Sequence, residues 1–242
     1  MLDLFTTIRK KGCARSAQDL ERMKEVVNKY SKYNYNKLTF NDKYYINYIN
    51  TVFYSSSGNN SKSFTYTKRN VDLLESIPEK LRDEEFEKYI IALNNLVVNY
   101  LNSGKNDAIH PYLSRIRSLA THNIRENILL WVTSYKLVLG VSIRLGDYEQ
   151  AERIANEIVS GIHFYADKIP LSDIALFKYN MSIVYFANNK HSKAIRFLNE
   201  IINEHDHSLR DDIQSFARIL RLIVFWEKGE QEILPYTAIS TS

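Results

Sequence analysis

The sequence predicts an all-α protein built from successive helical hairpins. Only 7 Gly and 4 Pro occur among 242 residues, and so few helix breakers favour long helices. A turn signal also recurs at intervals of 46, 46, 42, 43 and 40 residues, a spacing typical of stacked helical repeats. The turn residues are Gly12, Gly58, Gly104, Gly146, Asn189 and Gly229.

Apolar residues keep helical spacing between these turns, and polar clusters separate the apolar stretches. We expect Ser16 to cap one helix, because a hydroxyl at that position can accept a backbone hydrogen bond from Asp19. The expected helices cover 2–11, 16–31, a segment after Asn41 or Asp42, 63–76, 84–102, 106–120, 124–145, 147–165, 172–187, 190–203 and 209–228.

Two parts of this assignment depend on local signals. We expect Asn41 or Asp42 to cap the third helix and Asp83 to cap the helix at 84–102. The helix after Gly58 has the weakest pattern, because residues 65–67 are Thr, Tyr and Thr, which favour strands.

Composition indicates a globular protein with a sizeable core, since 45% of the residues are hydrophobic and 25% are charged. No apolar run approaches about 18 residues, so we expect no membrane span. The first residues, MLDLFTTIRKK, carry their charges after the apolar stretch, opposite to a secretory signal. Cys13 has no partner for a disulfide or a zinc site. We therefore expect one cytoplasmic helical-repeat domain over 1–242, as part of a larger regulatory or scaffold protein.

Positive charge is concentrated near the N-terminus, where residues 1–43 contain 10 Lys and Arg against 5 Asp and Glu. Such an excess allows phosphate binding, and a nucleic-acid interface through the N-terminal hairpin is one alternative function. Arg9, Lys10 and Lys11, however, close a predicted helix, where cations complement the helix dipole. We therefore consider nucleic acid an unlikely partner.

The turn at Gly146 lies in a recognisable motif, LGDYEQAERIANEIV at 145–159. It resembles the tetratricopeptide repeat, in which a small turn residue, an acidic residue, an aromatic and a later alanine join two packed helices. Here these are Gly146, Asp147, Tyr148 and Ala151. The next unit, NNKHSKAIRFLNEII at 188–202, keeps the alanine as Ala194. The period of 40 to 46 residues exceeds the usual 34 or so, and the proline that ends each repeat of that family is missing.

The resemblance implies a right-handed α-solenoid of about five to six antiparallel hairpins, with a concave groove lined by the first helix of each. The candidate binding residues come from two sources. Five occupy groove positions in the two matching units, and two are assigned by spacing alone in the preceding unit. These are Asn94, Asn102, Lys136, Arg144, Tyr179, Ile183 and Phe186.

Catalytic and metal motifs are weak in this chain. His205 and His207, beside Glu204 and Asp206, could ligate a metal, but a polar loop between hairpins accounts for them better. The sequence contains no glycine-rich phosphate loop, nucleophilic serine elbow or paired-cysteine motif. We expect a non-enzyme with no metal site and no cofactor.

The leading hypothesis is a non-catalytic module that binds a protein or peptide. Self-association through open helical faces is a further alternative, so a homo-oligomer is also considered. If the groove assignment is right, Lys136→Glu combined with Arg144→Glu weakens partner capture without unfolding the protein.

Overall fold

The computed structural model describes residues 16–204, 211–230 and 232. These residues form eleven α-helices, three short 3-10 helices and no strand, which confirms the all-α expectation. The helices are α1 (Ala17–Ser31), α2 (Phe40–Ser56), α3 (Asn60–Glu75), α4 (Glu79–Glu84), α5 (Phe86–Asn102), α6 (His110–Ser118), α7 (Ile124–Leu145), α8 (Tyr148–Tyr165), α9 (Leu171–Ala187), α10 (His191–Ile202) and α11 (Asp211–Glu227). The 3-10 helices are Tyr35–Lys37, Asn106–Ala108 and Ala166–Lys168.

The chain divides into two compact units, Met1–Thr133 (unit 1) and Ser134–Ser242 (unit 2). The division falls within α7. The predictions for the helix at 2–11, for Gly12 and Cys13, and for the loop containing His205 and His207 concern residues outside the described part of the chain.

Helix boundaries agree with the sequence where the apolar period is strong. The longest helix, α7, covers the predicted 124–145. Helix α1 begins after Ser16, whose Oγ accepts a hydrogen bond from the backbone N–H of Asp19 at 3.0 Å. That side-chain bond satisfies one of the free N–H groups at the helix start.

Two predicted caps were wrong. Helix α2 is capped by Thr39 and not by Asn41 or Asp42, because the Thr39 Oγ1 accepts from the Asp42 N–H at 3.2 Å and donates to the Asp42 carboxylate at 2.6 Å. Asp83 lies inside α4 and does not cap α5. The chain leaves helical geometry at Glu85 (φ −101°, ψ 24°) and resumes at Phe86, which is buried.

The predicted helix at 106–120 is shorter than expected. A 3-10 turn occupies Asn106–Ala108, and α6 follows from His110 to Ser118. Pro111 lies in the first turn of α6, where its missing N–H breaks no helical hydrogen bond.

The recurring turn residues are corners with left-handed backbone geometry. Their φ angles are 75° at Gly58, 69° at Gly104, 75° at Gly146, 57° at Asn189 and 81° at Gly229. Glycine adopts this region without a Cβ penalty, and asparagine tolerates it better than most residues. Five of the six predicted turns are thus confirmed, and the sixth, Gly12, lies outside the described residues.

Each corner closes with the same pair of backbone hydrogen bonds. At Gly146, the glycine N–H donates to the Ile143 carbonyl at 3.1 Å, and the Asp147 N–H donates to the Ser142 carbonyl at 2.9 Å. The same two bonds recur around the other four described corners. This is the Schellman arrangement, which satisfies the last carbonyls of the helix while the chain changes direction.

In unit 1, consecutive helices pack against each other, and the pairs in contact include α1 with α2, α2 with α3, α3 with α5, and α5 with α6. Buried hydroxyl and amide groups connect three of them. The Thr67 hydroxyl of α3 lies 3.2 Å from that of Thr51 on α2 and accepts from Asn99 Nδ2 of α5 at 3.1 Å. The β-prone segment at 65–67 is therefore helical because buried contacts and hydrogen bonds outweigh local propensity.

In unit 2, α9 packs against α8, α10 and α11, and α10 also packs against α11. The alanines that follow two of the corners, Ala151 and Ala194, are fully buried, which lets neighbouring helices approach closely. Ile109, which follows the Gly104 corner at the same distance of five residues, is also buried, whereas Ala17, five residues after Gly12 in the sequence, is exposed.

A charged brace supports the Asn189 corner. Glu152 of α8 accepts hydrogen bonds from Lys190 and, at 2.8 Å, from Asn188 Nδ2. It therefore binds the residues on both sides of the corner residue Asn189. The Lys190 hydrogen bond, with help from Asn188, holds the pKa of the Glu152 carboxyl below its usual value of 4.5.

Replacing Gly146 tests the corner geometry. Gly146→Ala should lower the free energy of unfolding by about 1–2 kcal/mol, because a Cβ is disfavoured at positive φ. No neighbouring atom lies within 4 Å of the new Cβ, so the cost is conformational and not steric. Urea unfolding provides the measurement. As a control, Asn189→Gly keeps a residue suited to this region and should change stability by less than about 0.5 kcal/mol. Equal stability of Gly146→Ala and wild type would contradict the assignment.

Replacing Glu152 tests the brace. Glu152→Gln should lower the unfolding free energy at pH 7 by roughly 1 kcal/mol. Because the folded pKa is depressed, the stabilisation is fully present above pH 4.5 and is lost as the pH falls through the lowered pKa. The stability difference between variant and wild type should therefore shrink below pH 4.5 in urea titrations. The exposed Glu149 provides the control as Glu149→Gln, and a pH-independent difference for Glu152→Gln would count against the brace.

Candidate functional site

The two asparagines predicted in the groove lie on α5 in unit 1. Asn94 is half-buried, and its Nδ2 donates to the side-chain oxygen of Asn95 at 3.3 Å. Asn102 is exposed at the last position of α5. The two residues are eight positions apart on this helix, a little over two turns at 3.6 residues per turn, and their amides do not bond to each other.

The two predicted cations on α7 have different environments. Lys136 is half-buried, and its Nζ lies 2.8 Å from the Asp173 carboxylate of α9. Arg144 is exposed near the end of α7. The Lys136 ammonium thus already has an intramolecular partner. In the double variant Lys136→Glu with Arg144→Glu, a second carboxylate would lie beside Asp173, so the α7–α9 ion pair would be lost as well as any contact in a groove.

The three predicted residues of α9 share one helical ridge. Tyr179, Ile183 and Phe186 are all half-buried, and their spacing of four and three residues places them on one face. The Tyr179 ring lies 6.3 Å from the Phe216 ring of α11. Burial raises the pKa of the Tyr179 hydroxyl, so this residue stays neutral at physiological pH.

A second ridge on α11 was missed by the sequence reasoning. Phe216, Ile219, Ile223 and Trp226 are 52%, 54%, 45% and 58% exposed, and their spacing of three, four and three residues aligns them on one face. Isolated exposed apolar residues are ordinary, but an ordered row of four large ones marks an interaction surface.

A positional signal could have identified this ridge. Tyr179, Ile183 and Phe186 precede the corner at Asn189 by 10, 6 and 3 residues. Counting the same offsets back from Gly229 gives Ile219, Ile223 and Trp226. We call the two rows together the apolar face; its members are Tyr179, Ile183, Phe186, Phe216, Ile219, Ile223 and Trp226.

In the described part of the chain, no three His, Cys, Asp or Glu residues converge on a point that could hold a metal ion.

Helix α7 is long and apolar enough to cross a membrane by length and composition, with 39% of its most apolar 18-residue window buried in the structure. Core helices of soluble proteins also meet these two criteria. We expected no membrane span from the sequence because no long uninterrupted apolar run occurs, and in α7 Lys136 interrupts the run.

Comparison with known proteins gives no relative: no protein-family model, curated protein or solved structure matches the chain.

Lys136 and Arg144 can be separated by stability measurements. Lys136→Met should lower the unfolding free energy by about 1 kcal/mol because it leaves the half-buried Asp173 unpaired, whereas Arg144→Met should cost less than about 0.5 kcal/mol. A thermodynamic cycle with Asp173→Asn isolates the ion pair. If Lys136→Met and Arg144→Met lower the unfolding free energy equally, the Lys136–Asp173 pair does not stabilise unit 2.

Proposed function

We propose that this protein is a non-catalytic module of the tetratricopeptide-like type that binds a protein or peptide through the apolar face. The observation that carries the proposal is that the same row of apolar side chains occurs on both α9 and α11. Large apolar side chains occupy the same offsets before two successive corners, and none of the seven members is charged.

Contacts between α9 and α10 support the hairpin organisation that the proposal needs. Lys178 lies 3.0 Å from Glu200, and further along α9 the ring of Tyr185 stacks on that of Phe197 at 5.7 Å. Residue numbers rise along α9 as they fall along α10, as in an antiparallel hairpin. The contact of α9 with α11 then fits the packing of first helices in successive repeats. We extend this organisation to a right-handed solenoid as part of the same proposal.

The occupant we propose is an amphipathic segment of a partner. Phe216 and Trp226 are ten residues apart on α11, so the ridge is about 15 Å long at 1.5 Å per residue. We propose that the partner lies along the two ridges, because an apolar helix face with residues at i, i+3, i+4 and i+7 can pack against two rows of apolar side chains. Aromatic residues at both ends of the α11 ridge provide large contact area with few rotatable bonds.

A peptide-selection experiment tests this proposal. Immobilised protein is panned with a phage library of random 12-residue peptides, and the affinity of the enriched sequences is measured by fluorescence polarisation. We expect peptides with apolar residues at helical spacing. Ile219→Glu combined with Ile223→Glu should weaken their binding by at least about 100-fold, since each lost apolar contact is worth about 1.5–3 kcal/mol.

Val159→Glu on α8 is the matched control, because Val159 is also an exposed aliphatic residue but lies outside the apolar face. Circular dichroism checks the fold of each variant. Failure to enrich any peptide, or equal binding by the double variant, would overturn the proposal. If light scattering shows that the wild type is a dimer and the double variant a monomer, the apolar face serves self-association instead. If the wild type gives a salt-dependent mobility shift with nucleic acid and the double variant does not, the apolar face binds nucleic acid.

A further inference from the structure

Unit 1 contains an open cavity of about 400 Å³ whose walls combine aromatic rings and carboxylates. Tyr44, Tyr45 and Tyr48 of α2 form one wall. Tyr44 and Tyr48 are buried, with their rings stacked 6.4 Å apart, and Tyr45 meets Tyr44 edge to face at 5.4 Å. The three rings therefore pack on one another and form a continuous aromatic wall, in which Tyr45 is the half-buried member.

Four glutamates and one lysine supply the charge around the cavity. Glu84, Glu85, Glu87, Glu126 and Lys88 line the cavity, so the lining carries a net charge of −3. Glu85 lies 2.6 Å from the Lys88 ammonium, and Glu87 lies 3.3 Å from Arg125, whose side chain is largely exposed. The excess of carboxylates favours a cationic occupant.

Lys88 shows what the aromatic wall can bind. Its Nζ lies 5.6 Å from the ring centroids of both Tyr44 and Tyr45, within the range of a cation–π contact. It also donates to the side-chain oxygen of Asn41 at 2.8 Å. An ammonium group of the protein itself therefore already uses the combination of aromatic face and carboxylate that recognises organic cations.

The spread of the carboxylates argues against an inorganic ion. A divalent metal needs several oxygens converging within about 2.0–2.6 Å of one point, and no three acidic or histidine side chains in the described residues are so arranged. Separate carboxylates around a cavity of this size suit an extended molecule with more than one positive group.

We propose that this cavity binds an organic polycation that carries primary ammonium or guanidinium groups. One cationic group lies against the tyrosine wall and competes there with Lys88, while the others pair with the glutamates. A polyamine and a peptide with adjacent basic side chains both offer this chemistry. The site is in unit 1 and does not depend on the apolar face of unit 2.

Calorimetric titration of the full chain with spermidine, with an Arg-Arg dipeptide amide and with Mg²⁺ tests the proposal. Both organic cations should bind at least tenfold more tightly than Mg²⁺. A preference between spermidine and the dipeptide identifies which source fits better, and either preference supports the shared chemistry. Equal affinity for Mg²⁺ would reduce the site to unspecific charge attraction and overturn the proposal.

The most informative variant is Lys88→Met, which removes the internal competitor. It should tighten spermidine binding about tenfold, because the lysine ammonium no longer competes for the tyrosine wall and the cavity gains one negative charge. Lys80→Met, at an exposed lysine of α4 outside the cavity lining, makes the same change in net charge and should have little effect. Equal affinities of the two variants would contradict the competition.

Two further variants keep the test independent of the folding of Lys88→Met. Glu84→Gln combined with Glu87→Gln should weaken spermidine binding at least tenfold relative to Glu149→Gln combined with Glu157→Gln, a pair on α8 outside the cavity lining. Tyr45→Leu should weaken spermidine binding about fivefold by removing one aromatic face. If thermal unfolding shows these variants to be folded and their affinities equal those of the controls, the assignment is wrong.

Discussion

The left-handed corner is the constraint on which the rest of this structure depends. One residue with positive φ, closed by two backbone hydrogen bonds, ends a helix and sends the chain back. Because every described corner has the same geometry, residues at a fixed distance before a corner present their side chains in equivalent directions. The corner therefore fixes chain reversal and, through it, which side chains can share a surface.

The two units use this common geometry with different chemistry. Unit 1 joins α2, α3 and α5 through buried hydroxyls and amides, of which Thr51, Thr67 and Asn99 form a connected set. Such groups fix relative helix positions because each unmade hydrogen bond would be costly. Unit 2 instead packs small and aliphatic residues such as Ala151, Ala194 and Leu198, with ion pairs at its edges.

The two units also differ in the side chains that they leave exposed. In unit 2 the ridges of α9 and α11 carry uncharged aliphatic and aromatic side chains, and this is why we propose an apolar segment as the occupant of the apolar face. In unit 1 the tyrosines of α2 oppose a cluster of glutamates, and Lys88 lies between them.

The sequence alone determined most of the local structure, namely the described helices other than α4, the Ser16 cap and five described corners, because propensity, capping and positive-φ residues act over a few neighbouring positions. It did not determine which of several polar residues caps a helix, as Thr39 in place of Asn41 or Asp42 demonstrates. Tertiary structure decided that Lys136 pairs with Asp173, that the α11 ridge is left exposed, and that tyrosines and glutamates distant in sequence enclose a cavity. The offsets from Gly229 place the α11 ridge on one helix face, but its exposure, the Lys136–Asp173 pair and the cavity depend on which helix faces meet. Contacts between residues tens of positions apart leave no local signal in the chain.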